Sequence, residues 1–180
     1  MANEPYTAFS SEDLFFRPVA QEDLPAVAAI EQAGFPVDEA ASPETLGFRQ
    51  REAGHCFLVA LKGDEVIGYA CGTLTKGSQL SHETMYRHDP TGGCLCVHSL
   101  CVAKEQQRRG LGPRIMRTYI NYVRSALPQV DSIKLICKQD LIRFYERSGF
   151  HLLGPSEVVH GKDQWYEMQL LTSRQESKSS

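Results

Sequence analysis

The sequence lacks several features that would place it in a large class of proteins. No apolar run among its 180 residues is long enough to span a bilayer. The opening residues, MANEPYTAFSSED, have no apolar core of the kind that signal peptides carry. The net charge is only −3, which gives no broad attraction to nucleic acid or to an anionic membrane. We therefore expect a cytoplasmic protein that binds neither nucleic acid nor a membrane.

The cysteine spacing that most zinc sites need is also missing. None of the six cysteines forms a CxxC pair. Cys94, Cys96 and His98 alternate along one stretch, but zinc normally takes four ligands and no second cluster completes the set. We predict no metal site and interpret the cysteines as small buried hydrophobic residues in a reducing compartment. They are Cys56, Cys71, Cys94, Cys96, Cys101 and Cys137.

The composition is that of a globular protein with one domain. Apolar residues make up 42% and charged residues 23% of the chain, a balance that disordered proteins do not show. A length of 180 residues suits one compact core and leaves little room for a second. We predict a flexible lead over 1–13, a single domain over 14–171 and a disordered tail over 172–180.

Hydrophobic patterns along the chain predict an α/β fold, of the mixed α+β kind. A long surface connection over 75–93, with a helical piece around 81–86, separates the two halves. The order of elements implies a mixed sheet with helices on both faces. The predicted strands are 14–18, 56–61, 66–74, 95–102, 132–137, 150–153 and 165–171. The predicted helices are 21–33, one that opens at Ser42 and Pro43, 113–125, and a short one that Asp140 caps and that ends at Gly149.

The motif with the clearest chemistry is QRRGLG at residues 107–112, between a predicted strand and a predicted helix. Free backbone N–H groups at a helix N-terminus bind anions, and the helix dipole favours negative charge there. Gly110 and Gly112 allow close approach of a ligand, while Arg108 and Arg109 add positive charge. The spacing matches neither the P-loop nor the dinucleotide-binding fingerprint. The residues therefore predict a pyrophosphate site of another kind.

Two motifs resemble the GNAT acetyltransferase superfamily. The pattern Q-x-x-G-x-G after a strand is similar to its acyl-CoA pyrophosphate loop, and FYERSGF is similar to its FYxxxGF region, whose Tyr contacts the CoA sulfur. Longer stretches, over about 14 to 171, resemble arylalkylamine (serotonin) N-acetyltransferases. They include HSLCVAKEQQRRGLGP, CKQDLIRFYERSGFHLLGP, FRPVAQEDLPAVAAIEQAGFP, IGYACGTL, LSHETMYRHDP and WYEMQL. The resemblance implies a GNAT-like fold, with a mixed, mostly antiparallel central sheet flanked by helices.

The resemblance also implies a role for particular residues, with acetyl-CoA as co-substrate and a small-molecule amine as acceptor. Tyr145 lies at the position of the general acid and of the contact to the CoA sulfur. Leu100 and Ile136 lie at substrate-contact positions. The other positions implied to bind acetyl-CoA are Leu100, Cys101, Val102, Gln107, Arg108, Arg109, Gly110, Leu111, Gly112 and Pro113.

His98 is the candidate general base. An amine with a pKa of about 10 is neutral in only about one molecule in a thousand at pH 7, so a base is useful, and histidine has a suitable intrinsic pKa. Vertebrate arylalkylamine enzymes carry two alternating histidines on this strand, whereas here Cys96 replaces the first. The segment from Phe35 to Pro43 matches the region that covers the substrate, without the family's Cys-Pro-Leu. Its acidic residues Asp38 and Glu39, with Glu31 before it, are weaker candidates for attracting an amine, since acidic residues on helices and loops are usually just solvated.

Three functions remain open on these residues. The first is acetyl transfer to a serotonin- or tryptamine-like amine. The second keeps the fold but transfers to polyamines, aliphatic amines or protein amines, and the third is an acetyl-CoA-binding module without turnover. The terminal segments lack the Arg-Arg-x-Ser/Thr pattern that phosphoserine-reading adaptors recognise in vertebrate members, so we expect no such partner. We expect a monomer.

Overall fold

A computed structural model of the protein describes residues 14–173. The predictions for 1–13 and for 174–180 therefore lie outside the described residues. Thr172, which the sequence assigns to the tail, is attached to the domain. Its Oγ1 donates to the carbonyl of Val130 at 2.6 Å, and its N–H donates to the carbonyl of Asp131 at 3.0 Å.

A seven-stranded sheet forms the centre of the domain, in the order β1-β2-β3-β4-β5-β7-β6. The pair β4 and β5 is parallel, and all other neighbouring pairs are antiparallel. The prediction of a mixed, mostly antiparallel sheet is confirmed. The strands are β1 Phe15–Pro18, β2 Phe57–Lys62, β3 Glu65–Thr75, β4 Cys94–Val102, β5 Ser132–Cys137, β6 His151–Pro155 and β7 Tyr166–Leu171.

The α-helices lie close to where the sequence predicts them. They are α1 Leu24–Gly34, α2 Pro43–Ala53, α3 Leu111–Ala126 and α4 Ile142–Arg147. Helix α2 opens as expected, because the Ser42 hydroxyl accepts the N–H of Thr45 at 3.1 Å and Pro43 follows at the first helical position. Helix α1 begins later than predicted, because a 3₁₀ turn occupies Gln21–Asp23.

The predicted capping role of Asp140 is wrong. Asp140 lies inside the 3₁₀ turn Gln139–Leu141, past the position at which a side chain caps the first N–H groups. Leu141 then precedes α4 without any side-chain cap. Helix α4 follows directly from this 3₁₀ turn, so no side chain caps the junction between them.

Helices pack on both faces of the sheet, as predicted. On one face, the apolar stripe of α3 at Ile115, Met116 and Tyr119 packs against strand residues such as Leu58 and Ile67. On the other face, α1 and α2 cover a second cluster. Alternate residues of β2 enter the two clusters, as the twofold period of a strand requires. The second cluster includes Val27, Ile30, Leu46, Phe57 and Val59, and all six cysteines are buried and free, as expected.

A β-bulge in β4 sets the position of His98. Cys71 of β3 pairs with Ser99 while the next residue, Gly72, pairs with Val97, so His98 is the extra residue. A Cβ on Gly72 would lie 2.6 Å from the carbonyl oxygen of Cys96, which only glycine avoids here.

Strands β4 and β5 separate at the same level. Their parallel pairing runs from Cys94 and Ser132 to Val97 and Leu135 and then stops. Yet β4 continues to Val102 and β5 continues to Cys137. A gap therefore opens between two strands in the middle of the sheet.

The connection over 76–93 differs from the predicted surface segment. Leu80, Thr84 and Met85 are buried, and the helical piece is one 3₁₀ turn, Glu83–Met85. Helix α2 stabilises this turn, because the guanidinium of Arg49 donates to the carbonyl of Met85. This segment thus forms part of the wall around the gap.

Within residues 14–173, no helix is both long enough and apolar enough to cross a membrane.

Candidate active site

A cavity of about 250 Å³ lies in the gap between β4 and β5. Four residues that the sequence predicts for the site line it together, namely His98, Leu100, Ile136 and Tyr145. The structure thus brings these four predicted residues to one place, and their roles stay predictions. Further apolar residues of the lining are Phe35, Leu80, Met85, Val97, Leu135 and Trp165, and further polar ones are Glu31, Glu39, Arg49, Ser99 and His160.

The hydrogen bonds around His98 fix its tautomer. Its Nε2 lies 2.8 Å from the Thr73 hydroxyl, which donates its single proton to the carbonyl of Thr84 at 2.5 Å. The Thr73 oxygen can then only accept from the imidazole, so Nε2 carries the hydrogen. The other nitrogen, Nδ1, keeps a lone pair and is buried without a partner among the described residues. His98 therefore presents an unused proton acceptor.

The surroundings keep His98 neutral. Burial lowers its pKa well below the usual value of 6.5, and the positive charge of Arg49 lowers it further. At neutral pH the imidazole is thus in the basic form that a proton-accepting role needs. It stays so into the mildly acidic range.

The pKa of Tyr145 is shifted in the opposite direction from that of His98. Its ring packs edge-on against Phe144 and Phe150, with centroid distances of 4.9 and 5.8 Å. Burial raises the pKa of its phenol well above the usual value, and the nearby Cys137 and Cys101 thiols add to the effect. The hydroxyl is therefore protonated at neutral pH and available as a proton donor.

Cys96, at the position of the missing histidine, is a core residue. Its side chain is fully buried beside Cys94 and Leu80. The hydrogen bond with Cys94 and the burial raise the pKa of the Cys96 thiol. The thiol stays protonated at neutral pH, so it does not replace a histidine base. Over residues 14–173 no group of three or more His, Cys, Asp or Glu is placed to hold a metal ion.

The predicted pyrophosphate loop has the shape of an anion site. Gly110 is the N-cap of α3 with a φ of 78°, and Arg108 is also left-handed with a φ of 61°. These two positions turn the chain so that the first N–H groups of α3, at Leu111 and Gly112, lie free at the helix start. Pro113 follows without an N–H and so offers no donor there.

Side chains around the loop divide into those that shape it and those that offer charge. The amide of Gln107 donates to the carbonyl of Val102 at 3.1 Å, which ties the loop to the end of β4. Arg109 lies 3.5 Å from the side-chain oxygen of Gln106. Arg108 is exposed to solvent. Gln107 is thus placed to hold the turn, and Arg108 to meet an incoming anion.

The end of β4 connects the loop to the cavity. Leu100 faces the cavity, whereas the Sγ of Cys101 contacts the carbonyl of Ile30 at 3.6 Å on the α1 side. Since β5 no longer pairs with this part of β4, its backbone edge faces the gap. An extended ligand bound to the α3 N-terminus would pass along that edge into the cavity.

Sequence reasoning underestimated Glu31. The sequence treats Glu31, Asp38 and Glu39 alike, but Asp38 is exposed and Glu31 lies buried at the cavity. The Glu31 carboxylate accepts from the N–H of Ala41 at 2.8 Å, from the Ser99 hydroxyl at 3.2 Å and from the Tyr69 phenol. Burial raises its pKa, and the hydrogen bonds from Ala41 and Ser99 oppose that rise. The available signal was a carboxylate on the apolar face of a helix.

No feature of the sequence singles out Arg49 as part of the site. Its guanidinium lies beneath the cavity, with Nη2 at 3.2 Å and Nε at 3.4 Å from the carbonyl of Met85, and with Nη1 at 3.8 Å from the sulfur of Cys71. Helix α2 has little apolar character, so its sequence does not distinguish Arg49 from Arg51. Arg49 is buried where its guanidinium meets the 83–85 turn, a contact that becomes visible only in the folded chain.

The geometry defines a class of protein. A helix N-terminus suited to an anion continues, along an unpaired strand edge, into a cavity that holds an imidazole with a free lone pair, His98, and a protonated phenol, Tyr145. The family model described as the acetyltransferase (GNAT) family matches residues 24–150, which is more than half of the chain. The chain belongs to this family of acyl-CoA-dependent acetyltransferases.

Individual relatives show how far the likeness goes. Serotonin N-acetyltransferase of Macaca mulatta is 30% identical over 103 residues, covering 57% of this chain and 50% of that protein. The match therefore spans only half the length of the macaque protein. Serotonin N-acetyltransferase of Mesocricetus auratus is 27% identical over 157 residues, covering 86% and 75%. Among solved structures, the GNAT-like decarboxylase GphF in complex with isobutyryl-CoA has the same fold, with a TM-score of 0.78 at 16% identity, covering 88% and 100%.

Replacing Arg108 tests the anion site. We expect Arg108→Ala to weaken acetyl-CoA binding about fivefold at low salt, since an exposed cation contributes less than about 1 kcal/mol. The difference from the unaltered protein should shrink in 0.5 M salt, where screening is stronger. Isothermal titration calorimetry at two ionic strengths measures both effects. Arg117→Ala, an exposed change further along α3, is the matched control; equal losses in both variants would contradict a local role for Arg108.

Proposed function

We propose that this protein transfers the acetyl group of acetyl-CoA to the primary amine of an arylalkylamine of the serotonin or tryptamine type. The observation that carries the proposal is an enclosed, largely apolar cavity that holds both His98 and Tyr145. Apolar walls suit an aromatic ring, and the two polar side chains suit the proton transfers that acetyl transfer needs. The likeness to serotonin N-acetyltransferases supports the same acceptor class.

The charges around the cavity favour a monoamine over a polyamine. A second ammonium group would need a free carboxylate, because an unpaired buried charge is costly. Glu31 already accepts hydrogen bonds from Ala41, Ser99 and Tyr69. Glu39 already pairs with Lys138 at 2.7 Å. Neither carboxylate is available without breaking these contacts.

The proposed reaction is a direct attack by the amine on the acetyl carbonyl. His98 takes the amine proton on Nδ1, while its Nε2–H stays bonded to Thr73. Tyr145 gives its proton to the departing CoA sulfur, which would otherwise leave as a thiolate. The backbone edge of β4 at 100–102 offers N–H groups to the carbonyl oxygen as negative charge develops on it.

The low pKa of His98 is compatible with a basic substrate. A base whose pKa lies well below 6.5 is poorly matched to an ammonium ion whose pKa is about 10 in water. The same burial that lowers the pKa of His98 also disfavours the ammonium form of a bound amine. The amine also becomes more acidic as its nitrogen bonds to the carbonyl carbon. Proton transfer to His98 is therefore easiest during or after the attack.

An acceptor panel with purified protein tests the proposed substrate class. We expect tryptamine, serotonin and phenylethylamine to give a higher kcat/KM with acetyl-CoA than spermidine, putrescine or a peptide N-terminus. The release of free CoA measures each rate. A higher kcat/KM for spermidine or for the peptide would overturn the arylalkylamine assignment. Tight acetyl-CoA binding with no acceptor reaction would support the alternative of a binding module without turnover.

Replacing His98 tests the base. We expect His98→Gln to lower kcat about 100-fold, within the usual range for general base catalysis. In the unaltered protein, kcat at saturating amine should fall only below pH 6.5, because burial and Arg49 lower the pKa of His98 and protonation removes its lone pair. Measuring kcat and not kcat/KM across pH keeps the ionisation of the free amine, whose pKa is about 10, out of the profile. His151→Gln, an exposed change on β6, is the control, and an acidic limb that persists in His98→Gln would exclude the role.

Replacing Tyr145 tests the acid. Tyr145→Phe removes one hydroxyl and keeps the ring contacts to Phe144 and Phe150. We expect kcat to fall about 100-fold while the thermal midpoint and the acetyl-CoA KM change little. Because the pKa of Tyr145 is raised, no alkaline limb from this phenol should appear below pH 10. Tyr166→Phe on β7 is the control, and an undiminished kcat in Tyr145→Phe would exclude the acid role.

A further inference from the structure

Two separate loops form the outer wall of the acceptor cavity. The first, residues 35–42, follows α1 and contributes Phe35 and Glu39. The second, residues 156–165, connects β6 to β7 and contributes His160 and Trp165. Neither loop has regular secondary structure, so no strand or helix ladder holds one against the other. Their side chains must provide the connection.

Lys138 lies between the two loops, just after β5. Its Nζ is 2.7 Å from Oε1 of Glu39 in the first loop and 2.9 Å from Oδ2 of Asp163 in the second. The same ammonium group lies 5.6 Å from the ring centroid of Trp165. The two carboxylates raise the pKa of Lys138, so it remains charged. Lys138 thus connects both loops, although it does not itself line the cavity.

The two ends of this bridge differ in exposure. The side chain of Glu39 is 4% exposed, that of Lys138 27% and that of Asp163 62%. Removing Lys138 would leave the Glu39 carboxylate buried without its cation, which is strongly unfavourable. Turning toward solvent would relieve this cost, and that movement would displace the first loop from the cavity.

Direct contacts between the loops depend on the same position of Glu39. The Nε2 of His160 lies 2.9 Å from the backbone carbonyl of Glu39, 121 residues away in sequence. The indole N–H of Trp165 donates to the carbonyl of His160. A Cβ on Gly161 would lie 2.8 Å from Cγ of Glu39, so the loops meet closely here. Displacing Glu39 would disturb His160 and Trp165, and with them the cavity wall.

We propose that Lys138 is a positioning residue for the acceptor, which holds the two loops closed over the cavity through Glu39 and Asp163. It acts on acceptor binding and not on acetyl-CoA binding, because the pyrophosphate loop and the exposed edge of β4 lie elsewhere. The proposal rests on the proposed function for the existence of an amine acceptor in this cavity. It does not depend on which amine is accepted.

The first test compares Lys138→Met with Lys138→Arg. If loss of the cation reduces the closed arrangement to about one tenth of the molecules, the acceptor KM rises about tenfold, since apparent affinity scales with the competent fraction. The acetyl-CoA KM should stay within about twofold. Lys138→Arg keeps a charge and several donors and should restore most of the acceptor affinity. Lys162→Met, an exposed change beside Asp163, is the matched control.

The second test needs no turnover. Trp165 is the only tryptophan of the chain and is 9% exposed, so its fluorescence reports the closure of the loops. We expect acrylamide, an uncharged quencher, to quench the fluorescence of Lys138→Met more strongly than that of the unaltered protein or of Lys162→Met; an ionic quencher would also respond to the change of charge beside Trp165. Asp163→Asn changes only the exposed end of the bridge and should show a smaller shift in the same direction. That variant decides the question if Lys138→Met fails to fold.

The outcomes separate this proposal from the proposed function. An unchanged acceptor KM together with unchanged quenching in Lys138→Met would overturn the role of Lys138. Equal increases in both KM values with a large fall in the thermal midpoint would show general structural damage, and would overturn it as well. A protein that acetylates no amine refutes the proposed function, whereas the quenching experiment still tests whether Lys138 closes the loops.

Discussion

The separation of β4 from β5 is the constraint on which the rest of the structure depends. A strand inside a sheet normally satisfies its backbone groups on both edges, and leaving one edge unpaired is costly unless something else binds there. Here the bulge at His98 turns β4 away at the point where pairing with β5 ends. Gly72 permits this, because no side chain stands between it and the Cys96 carbonyl. One local irregularity thus accompanies the opening of the cavity and places His98 in its lining.

Three charged side chains that line the cavity already have partners, and the contrast with His98 is informative. Glu31, Glu39 and Arg49 are each bound by neighbouring groups. The Nδ1 of His98 is buried without one. An unpaired buried acceptor costs free energy in the empty protein, and a ligand that donates to it recovers that cost. The nitrogen that we propose as the proton acceptor is therefore distinguished from the charged groups of the lining by its lack of a partner rather than by its residue type.

The sequence predicted the loop at 107–112 and the elements on either side of it better than the packing of the cavity wall, for a physical reason. The loop at 107–112, helix α3 and strand β4 are local features, and their glycine positions and apolar periods appear directly in the sequence. Glu31, Arg49 and Lys138 gain their importance from partners far away in the chain, such as Ser99, Met85 and Asp163. The prediction for Asp140 was wrong for the opposite reason. The local pattern suggested a helix cap, but a 3₁₀ turn occupies that position before α4 begins. Burial by a distant segment leaves no local signal.

The same difference appears in how the wall of the cavity is built. Its wall is assembled from the loop after α1, the 83–85 turn, the start of α4 and the loop before β7, and few backbone hydrogen bonds connect these parts. Side-chain contacts must then set the size of the cavity, and such contacts form and break at lower cost than a strand ladder. The edge of β4 and the start of α3 belong to a strand and a helix, which have little freedom. Under the proposed function, a cavity wall that opens beside this rigid part would let the amine enter and the product leave without disturbing the groove that holds the acyl donor.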